Sequence, residues 1–335
     1  MSYPSGRVSR VETRTAPDIP VRAWLPGFLA LAAIWGTSFL FIKVGVRELP
    51  PLWLTFARVA AGAVTLLVIL ALTRDRLPRD GRLWAHLIVV AALGVTMPFT
   101  FFGYGEQRVS SVLAGIWNAA TPLVALPLAV LVFRTESFTR RRAAGIAIGF
   151  AGVLVVLGVW RGVGGTELTG QLLCFAAAMC YAVAIPYQKK FVAGRTGSGV
   201  SIAAAQLLVA LAQLAVVAPL IAGAPPRPAA LSADVVLCVL ALGALGTGLA
   251  FVLNFRVIRM AGASTSASVT YLMPVVATVV GVSVLGEHVR WHQPVGALIV
   301  LAGVAISQGV LSRRKSATSA DPVTAREVMA TRSSA

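Results

Sequence analysis

Two prolines set in long apolar runs are the first residues with a chemical consequence. Pro122 has no N–H and crowds the carbonyl four residues back, that of Asn118, and Pro274 does the same to Thr270. Each proline thus leaves a backbone acceptor beside a polar side chain, and such groups near mid-membrane can bind a solute. The same residues could instead bond neighbouring helices around a packing kink. Trp35, Thr37 and Ser38 in the first apolar run, and Trp117 and Thr121 in the fourth, fall at similar depth, with Tyr181 and Tyr271 as approximate counterparts. Aromatic faces among a few hydroxyls suit an amphiphilic or zwitterionic ligand, although any one ring could serve packing alone. Arg58 lies inside the second run, where a charge costs about 2.5–3.5 kcal/mol at helix centre. It could hold a substrate carboxylate or bond carbonyls of the first run. Lys43, near the end of the first run, is expected to snorkel.

Other chemistries find little support. The nearest carboxylates, Glu106, Glu136 and Glu287, stand on separate loops, so no mid-membrane proton relay or clustered acid pair is visible. Glu106 could still carry a proton, while Glu136 and Glu287 are expected to cap helices or pair with arginines. His288 and His292 are four apart beside Pro294, poor ground for a metal site. Cys174, Cys180 and Cys238 lie in apolar stretches without a C-x-x-C spacing and read as packing residues. No G-x-x-x-x-G-K-[ST] pattern points to ATP, and no cofactor is expected.

The elements that must position these residues follow from composition. Of 335 residues 57% are hydrophobic and 12% charged, far from a soluble domain. A crossing helix needs about 20 apolar residues. Ten segments qualify: 25–46, 52–72, 84–103, 111–132, 142–160, 168–188, 200–221, 235–256, 264–285 and 294–311. Unsatisfied peptide groups are so costly in lipid that these must be helices. The formal charge of +17 could suggest nucleic acid, but its distribution says otherwise. Of the 29 Lys and Arg, 22 fall in the tails and on one set of alternate loops. The positive-inside rule puts that side, with both termini, in the cytoplasm of an inner membrane. The charge is an insertion signal, and no nucleic-acid partner is implied.

The sequence also repeats. Thr121-Pro122-Leu123 and Met273-Pro274-Val275 are offset by 152 residues; Glu136, Gly145 and Gly152 meet Glu287, Gly296 and Gly303 at an offset of 151. Gly94 meets Gly246 at 152, and Trp35 and Lys43 meet Tyr181 and Lys189 at 146. Five helices are thus used twice, and an odd number inverts the second set, an arrangement common in transporters. The expected fold is an all-α integral membrane protein of ten helices in two inverted repeats. The repeats cover 24–160 and 168–311, between a cytoplasmic tail, 1–23, and a disordered tail, 312–335. Gly145-x-x-x-Gly149 permits close helix approach, within the chain or in a homodimer.

Trp35-Gly36-Thr37-Ser38-Phe39, Arg58 in Phe56-Ala57-Arg58, the paired prolines, Glu136 and Glu287, and the glycines of the fifth and tenth runs are together familiar. Their order and duplication resemble EamA-type proteins of the drug/metabolite transporter superfamily. The resemblance implies ten helices and carrier-mediated movement of small metabolites, in many members as efflux. The second half departs from the pattern, with Tyr181-Ala182 for Trp35-Gly36 and Gln206 where Arg58 would repeat. The reading is a secondary transporter exporting amino acids, related compounds or drugs by alternating access, with a small solute and membrane lipids as partners. An integral-membrane enzyme acting on lipid-linked substrates, or a lipid scramblase or scaffold, is the alternative.

Overall fold

A computed structural model describes residues 20–134, 137–158, 160, 165–195 and 197–308. Glu136 and most of both tails lie outside the described residues. Among the described residues, eight helices are long and apolar enough to cross a membrane. They are α1 (Val21–Gly45), α2 (Pro51–Thr73), α3 (Gly81–Glu106) and α4 (Ser111–Leu131), then α6 (Thr166–Phe191), α7 (Gly199–Ala222), α8 (Ala233–Ala261) and α9 (Thr265–Leu285). Two shorter helices complete the ten: α5 (Arg140–Leu157), which opens on three arginines, and α10 (His292–Gln308). Starts follow local chemistry. Pro51 occupies the first turn of α2, while Asp80, Ser110, Thr139 and Ser198 cap α3, α4, α5 and α7 through their side chains.

The packing carries the duplication. α1 lies on α8 and α9, and α6 lies on α3 and α4; α2 packs on α8, and α7 on α3. The pairs α2–α7, α4–α9 and α5–α10 close the set. Exchanging each helix with the one five places along maps these contacts onto themselves, as two inverted repeats require. Loop contacts obey the same rule. On the face where α1 begins, here the terminal face, Arg195 bonds Asp80 at 2.9 Å. On the opposite face Glu48 accepts from the Ser232 N–H and hydroxyl at 2.8 and 2.6 Å. Asp80 and Ser232 are 152 residues apart, and Glu48 and Arg195 are 147 apart. The Arg82 N–H, aided by the Arg195 guanidinium, holds the Asp80 carboxyl below the usual carboxylate range.

Glycine makes the α5–α10 pair possible. A Cβ on Gly145 would stand 2.5 Å from the Gly303 carbonyl oxygen, and one on Gly152 would stand 2.6 Å from the Val300 nitrogen. The small-residue seam of α5 is therefore filled by α10 of the same chain and is not open to a second copy. Gly303→Ala is expected to destabilise the detergent-solubilised protein by about 1–3 kcal/mol, because backbone would have to move. Gly81→Ala, with nothing within 4 Å, serves as the control in thermal unfolding. Equal losses in the two proteins would contradict this packing.

Candidate functional site

The two faces of the bundle differ. On the opposite face every residue of Ser111–Ala119, the first half of α4, is buried, and this stretch packs on α1, α9 and α10. Its counterpart at the start of α9 has no packing of that extent on α6 or α5. One carboxylate ties α9 to α4 on this side. Gly286, in the left-handed region at φ 65°, ends α9, and the Glu287 N–H returns to the Gly281 carbonyl at 3.1 Å, the helix stop that glycine favours. Glu287 then accepts from the Ser111 N–H at 2.8 Å, the Ser111 hydroxyl at 2.9 Å and the Val112 N–H at 3.1 Å. An anion on a helix N-terminus is doubly favoured, by unpaired N–H groups and by the helix dipole. A Cβ on Gly281 would stand 2.8 Å from Glu287 Oε2, so glycine admits the latch.

On the terminal face a cavity of about 310 Å³ opens between α4, α5, α6 and α10, with Pro122, Ala125, Arg142, Pro186, Lys189 and Ser307 in its wall. The helices around it are interrupted in matched places. α3 and α8 each contain a π-helical turn, Ala92–Thr96 and Ala244–Leu249, at the offset that relates Gly94 to Gly246. Pro98 cannot donate to the Gly94 carbonyl, which accounts for the first turn; glycines 246 and 248 lie within the second. Such turns often mark functional sites.

Matched residues of α2 and α7 cover these turns. Arg58 donates to the Thr247 hydroxyl at 3.0 Å, and its guanidinium lies 3.5 Å from the centroid of the Phe99 ring. A Cβ on Gly248 would meet Thr65 at 2.6 Å. Across the pseudo-twofold axis, Gln206 Nε2 is 3.4 Å from the Val90 carbonyl oxygen. Gln213 donates to the Ile88 carbonyl at 2.9 Å and accepts from the Thr96 hydroxyl at 2.7 Å. Gln206 thus stands where Arg58 repeats, 148 residues on, and the central region carries one guanidinium instead of two. Arg58 is bonded to α8 rather than to carbonyls of α1. Lys43 does not snorkel freely either: it donates to the Glu106 and Val109 carbonyls at 2.6 and 2.7 Å, capping the end of α3.

The other expected residues form two groups. On α1, the Ser38 hydroxyl bonds the Ile34 carbonyl at 2.9 Å and faces Gly246, whose Cβ would be 2.9 Å away. Trp35 and Thr37 are half-buried, Trp35 against the main core. On α4 and α9, Asn118 Nδ2 lies 3.8 Å from Met273 Sδ. α4 breaks at Ala120, two residues before Pro122, so the expected kink and the break coincide. α9 is interrupted at Ser268, while Pro274 sits inside the continuous Val269–Leu285 segment. Hydroxyls explain the displacement: Ser268 donates to the Thr265 carbonyl at 2.7 Å and Thr270 to Ala267 at 2.8 Å, competing with the helix ladder. Trp117 packs edge-on to Phe175 at 5.5 Å between centroids, and Tyr181 lies 6.3 Å from Phe102. The Trp117 Nε1, Thr121 Oγ1 and Tyr271 hydroxyl are buried without a protein partner, which is unusual for such groups. Pro122 alone of the expected residues lines the terminal-face cavity. Arg142, Lys189, Thr247 and Phe99 were not anticipated. His292 packs against Trp160 and Trp291, with its Nδ1 3.2 Å from the Val156 carbonyl oxygen.

Ten helices in two equivalent sets, with matched interruptions and a cavity at one face, define a multi-pass membrane protein of transporter architecture. Residues 22–158 and again 168–308 match the EamA-like transporter family, and the chain belongs to it, within the drug/metabolite transporter superfamily. It is 26% identical over 297 residues, 86% of this chain and 98% of the relative, to "Uncharacterized transporter YoaV" of Bacillus subtilis. It is 26% identical over 291 residues, 84% and 94%, to the "Probable amino-acid metabolite efflux pump" of Salmonella typhimurium. It is 28% identical over 285 residues, 84% and 93%, to the "Probable terminal-alkyne amino-acid exporter" of Streptantibioticus cattleyicolor. A solved crystal structure shares the fold at a TM-score of 0.60 and 22% identity, over 85% of this chain and 98% of that one.

The latch makes a direct prediction. Glu287→Ala removes hydrogen bonds worth about 1.5–3 kcal/mol each in a charged pair and is expected to open the opposite face. A cysteine at Ala114, fully buried, should then react severalfold faster with a membrane-impermeant maleimide, on a background with Cys238 replaced by Ala. Unchanged labelling would show that Glu287 closes nothing.

Proposed function

We propose that this protein is a secondary transporter that exports amino acids or related carboxylate-bearing metabolites from the bacterial cytoplasm by alternating access. The observation that carries the reading is the set of unpartnered polar atoms on Trp117, Thr121 and Tyr271, at the join between the two repeats. Buried polar groups normally have partners, and here a solute's polar groups can supply them. Arg58, over Phe99 and in the neighbourhood of Tyr181, offers a cation for a carboxylate within an aromatic surrounding. The basic terminal-face loops orient that face to the cytoplasm by the positive-inside rule, so the cavity beside Arg142 and Lys189 receives solute from inside. Relatives whose names specify amino-acid efflux support the substrate class.

Inverted repeats supply the mechanism. In this conformation Glu287 caps α4 and the outer face is closed. The opposite state would close the inner face through the equivalent contact of the other repeat. The two states differ by exchange of equivalent contacts, so their energies are close and a modest binding difference can switch them. Loops this short hold no further catalytic domain, and a carrier of this design needs neither ATP nor a cofactor.

Counterflow in proteoliposomes loaded with a pooled amino-acid mixture tests the reading. Wild-type protein should show saturable exchange of at least one solute. Asn118→Ala and Arg58→Gln proteins that still fold should lose about tenfold or more, as expected for a polar contact worth about 1.4 kcal/mol or more. No saturable flux with any component would refute it, and full flux in both variants would remove these residues from the site.

A further inference from the structure

Arg58 and Gln206 hold equivalent places at the centre of the bundle but carry different groups. Each is buried, with 7% of its surface still exposed. Arg58 spends its Nε–H on the Thr247 hydroxyl, and its Nη groups meet no protein acceptor among the described residues. Gln206 turns Nε2 to the Val90 carbonyl at 3.4 Å, and its Oε1 accepts from no protein group among the described residues. Buried polar groups normally have partners. Both side chains therefore present unmet hydrogen-bonding capacity, charged donors on one and a neutral acceptor on the other. The same two helices run past both. On α3, the Phe99 ring lies against the guanidinium, while a Cβ on Gly94 would stand 3.3 Å from Gln206 Nε2. Positions 94 and 99 are about 7–8 Å apart along a helix, a span that the two ends of an amino acid can bridge. On α6, Tyr181 neighbours Arg58, and Ala184, on the same helical face, lies 3.7 Å from that Gly94 position.

We propose that Gln206 is the specificity-determining residue of the central site, admitting solutes with one carboxylate and excluding dicarboxylates. The inference rests on the transporter reading above and on Arg58 as the carboxylate end. Arg58 takes one carboxylate with its Nη groups, in the fork geometry that arginine offers. At the other end, Gln206 Oε1 accepts from an ammonium, amide or hydroxyl of the same solute. A second carboxylate would face that oxygen with no cation to offset its lost hydration, so charge rejects it. Turning the amide over does not help, because Oε1 would then meet the Val90 carbonyl oxygen, one acceptor against another. Duplication makes the position a switch. An arginine at 206 would set a second guanidinium against the equivalent turn and convert a one-cation site into a two-cation site.

Counterflow in proteoliposomes with the full-length protein, run separately with pooled neutral amino acids and with glutamate plus aspartate, tests the assignment. Wild-type protein should exchange the neutral pool saturably and the acidic pool slower by about tenfold or more. Gln206→Arg should raise the acidic-to-neutral ratio by about tenfold or more. Gln206→Leu, which brings no cation, should leave the acidic pool excluded. If Gln206→Arg does not fold, Gln206→Lys carries the same expectation. Three results would each overturn the assignment and leave a transporter standing: comparable exchange of both pools by wild type, an unchanged ratio in the cationic variant, or acidic exchange gained in Gln206→Leu. No saturable flux of any component by wild type would refute the transporter reading, and this inference with it.

Discussion

In hydrocarbon no water satisfies a peptide group, so the chain must keep its own backbone hydrogen bonds at nearly every residue. That constraint makes all ten segments helices, and it gives special meaning to the places where the ladder is interrupted. There are matched π turns in α3 and α8, a break at Ala120 in α4 and an interruption at Ser268 in α9. Side chains bond main-chain carbonyls at both π turns and at Ser268. Gln213 and Thr96 serve the first π turn, and Thr247 bonds the Leu242 carbonyl at 3.2 Å in the second. The residues that patch the ladder are polar residues of the bundle's centre, so structural satisfaction and the proposed solute binding would draw on the same small set of groups.

Duplication organises this set, and departures from it give the site its character. Arg58 and Gln206 occupy equivalent positions against equivalent turns, yet one brings a permanent charge and the other does not. The larger asymmetry is conformational. The start of α4 is buried and tied by Glu287, whereas the start of α9 lacks comparable packing. Two related halves in different arrangements are what the proposed exchange of conformations requires.

Much of this was legible in the sequence. The glycines at 145, 152, 296 and 303 and the prolines at 122 and 274 disclosed the repeat, because backbone approach and a missing N–H tolerate few substitutes. Gln206 was placed opposite Arg58 by register alone. The remainder depends on tertiary partners. A π turn inside a largely apolar run leaves no periodicity to read. The interruption of α9 was expected near Pro274, but hydroxyls at Ser268 and Thr270 shifted it. Glu106 was open to a reading as a proton carrier, but nothing in its neighbours' identities says that Lys43 would turn to carbonyls instead. Arg142 and Lys189 read as orienting charges, and they also edge the cavity.

The central claim is that the halves exchange conformations about the α4–α9 join. Spin-label distances in nanodiscs measure this directly, with one pair at Leu131 and Lys190 on the terminal face and a second pair at Ser283 and Arg47 on the opposite face. The account predicts two distance populations for each pair, the terminal-face distance shortening as the opposite-face distance lengthens when a transported amino acid or a pH change shifts the balance. A single unchanging distance at both faces, in protein that moves solute, would contradict it.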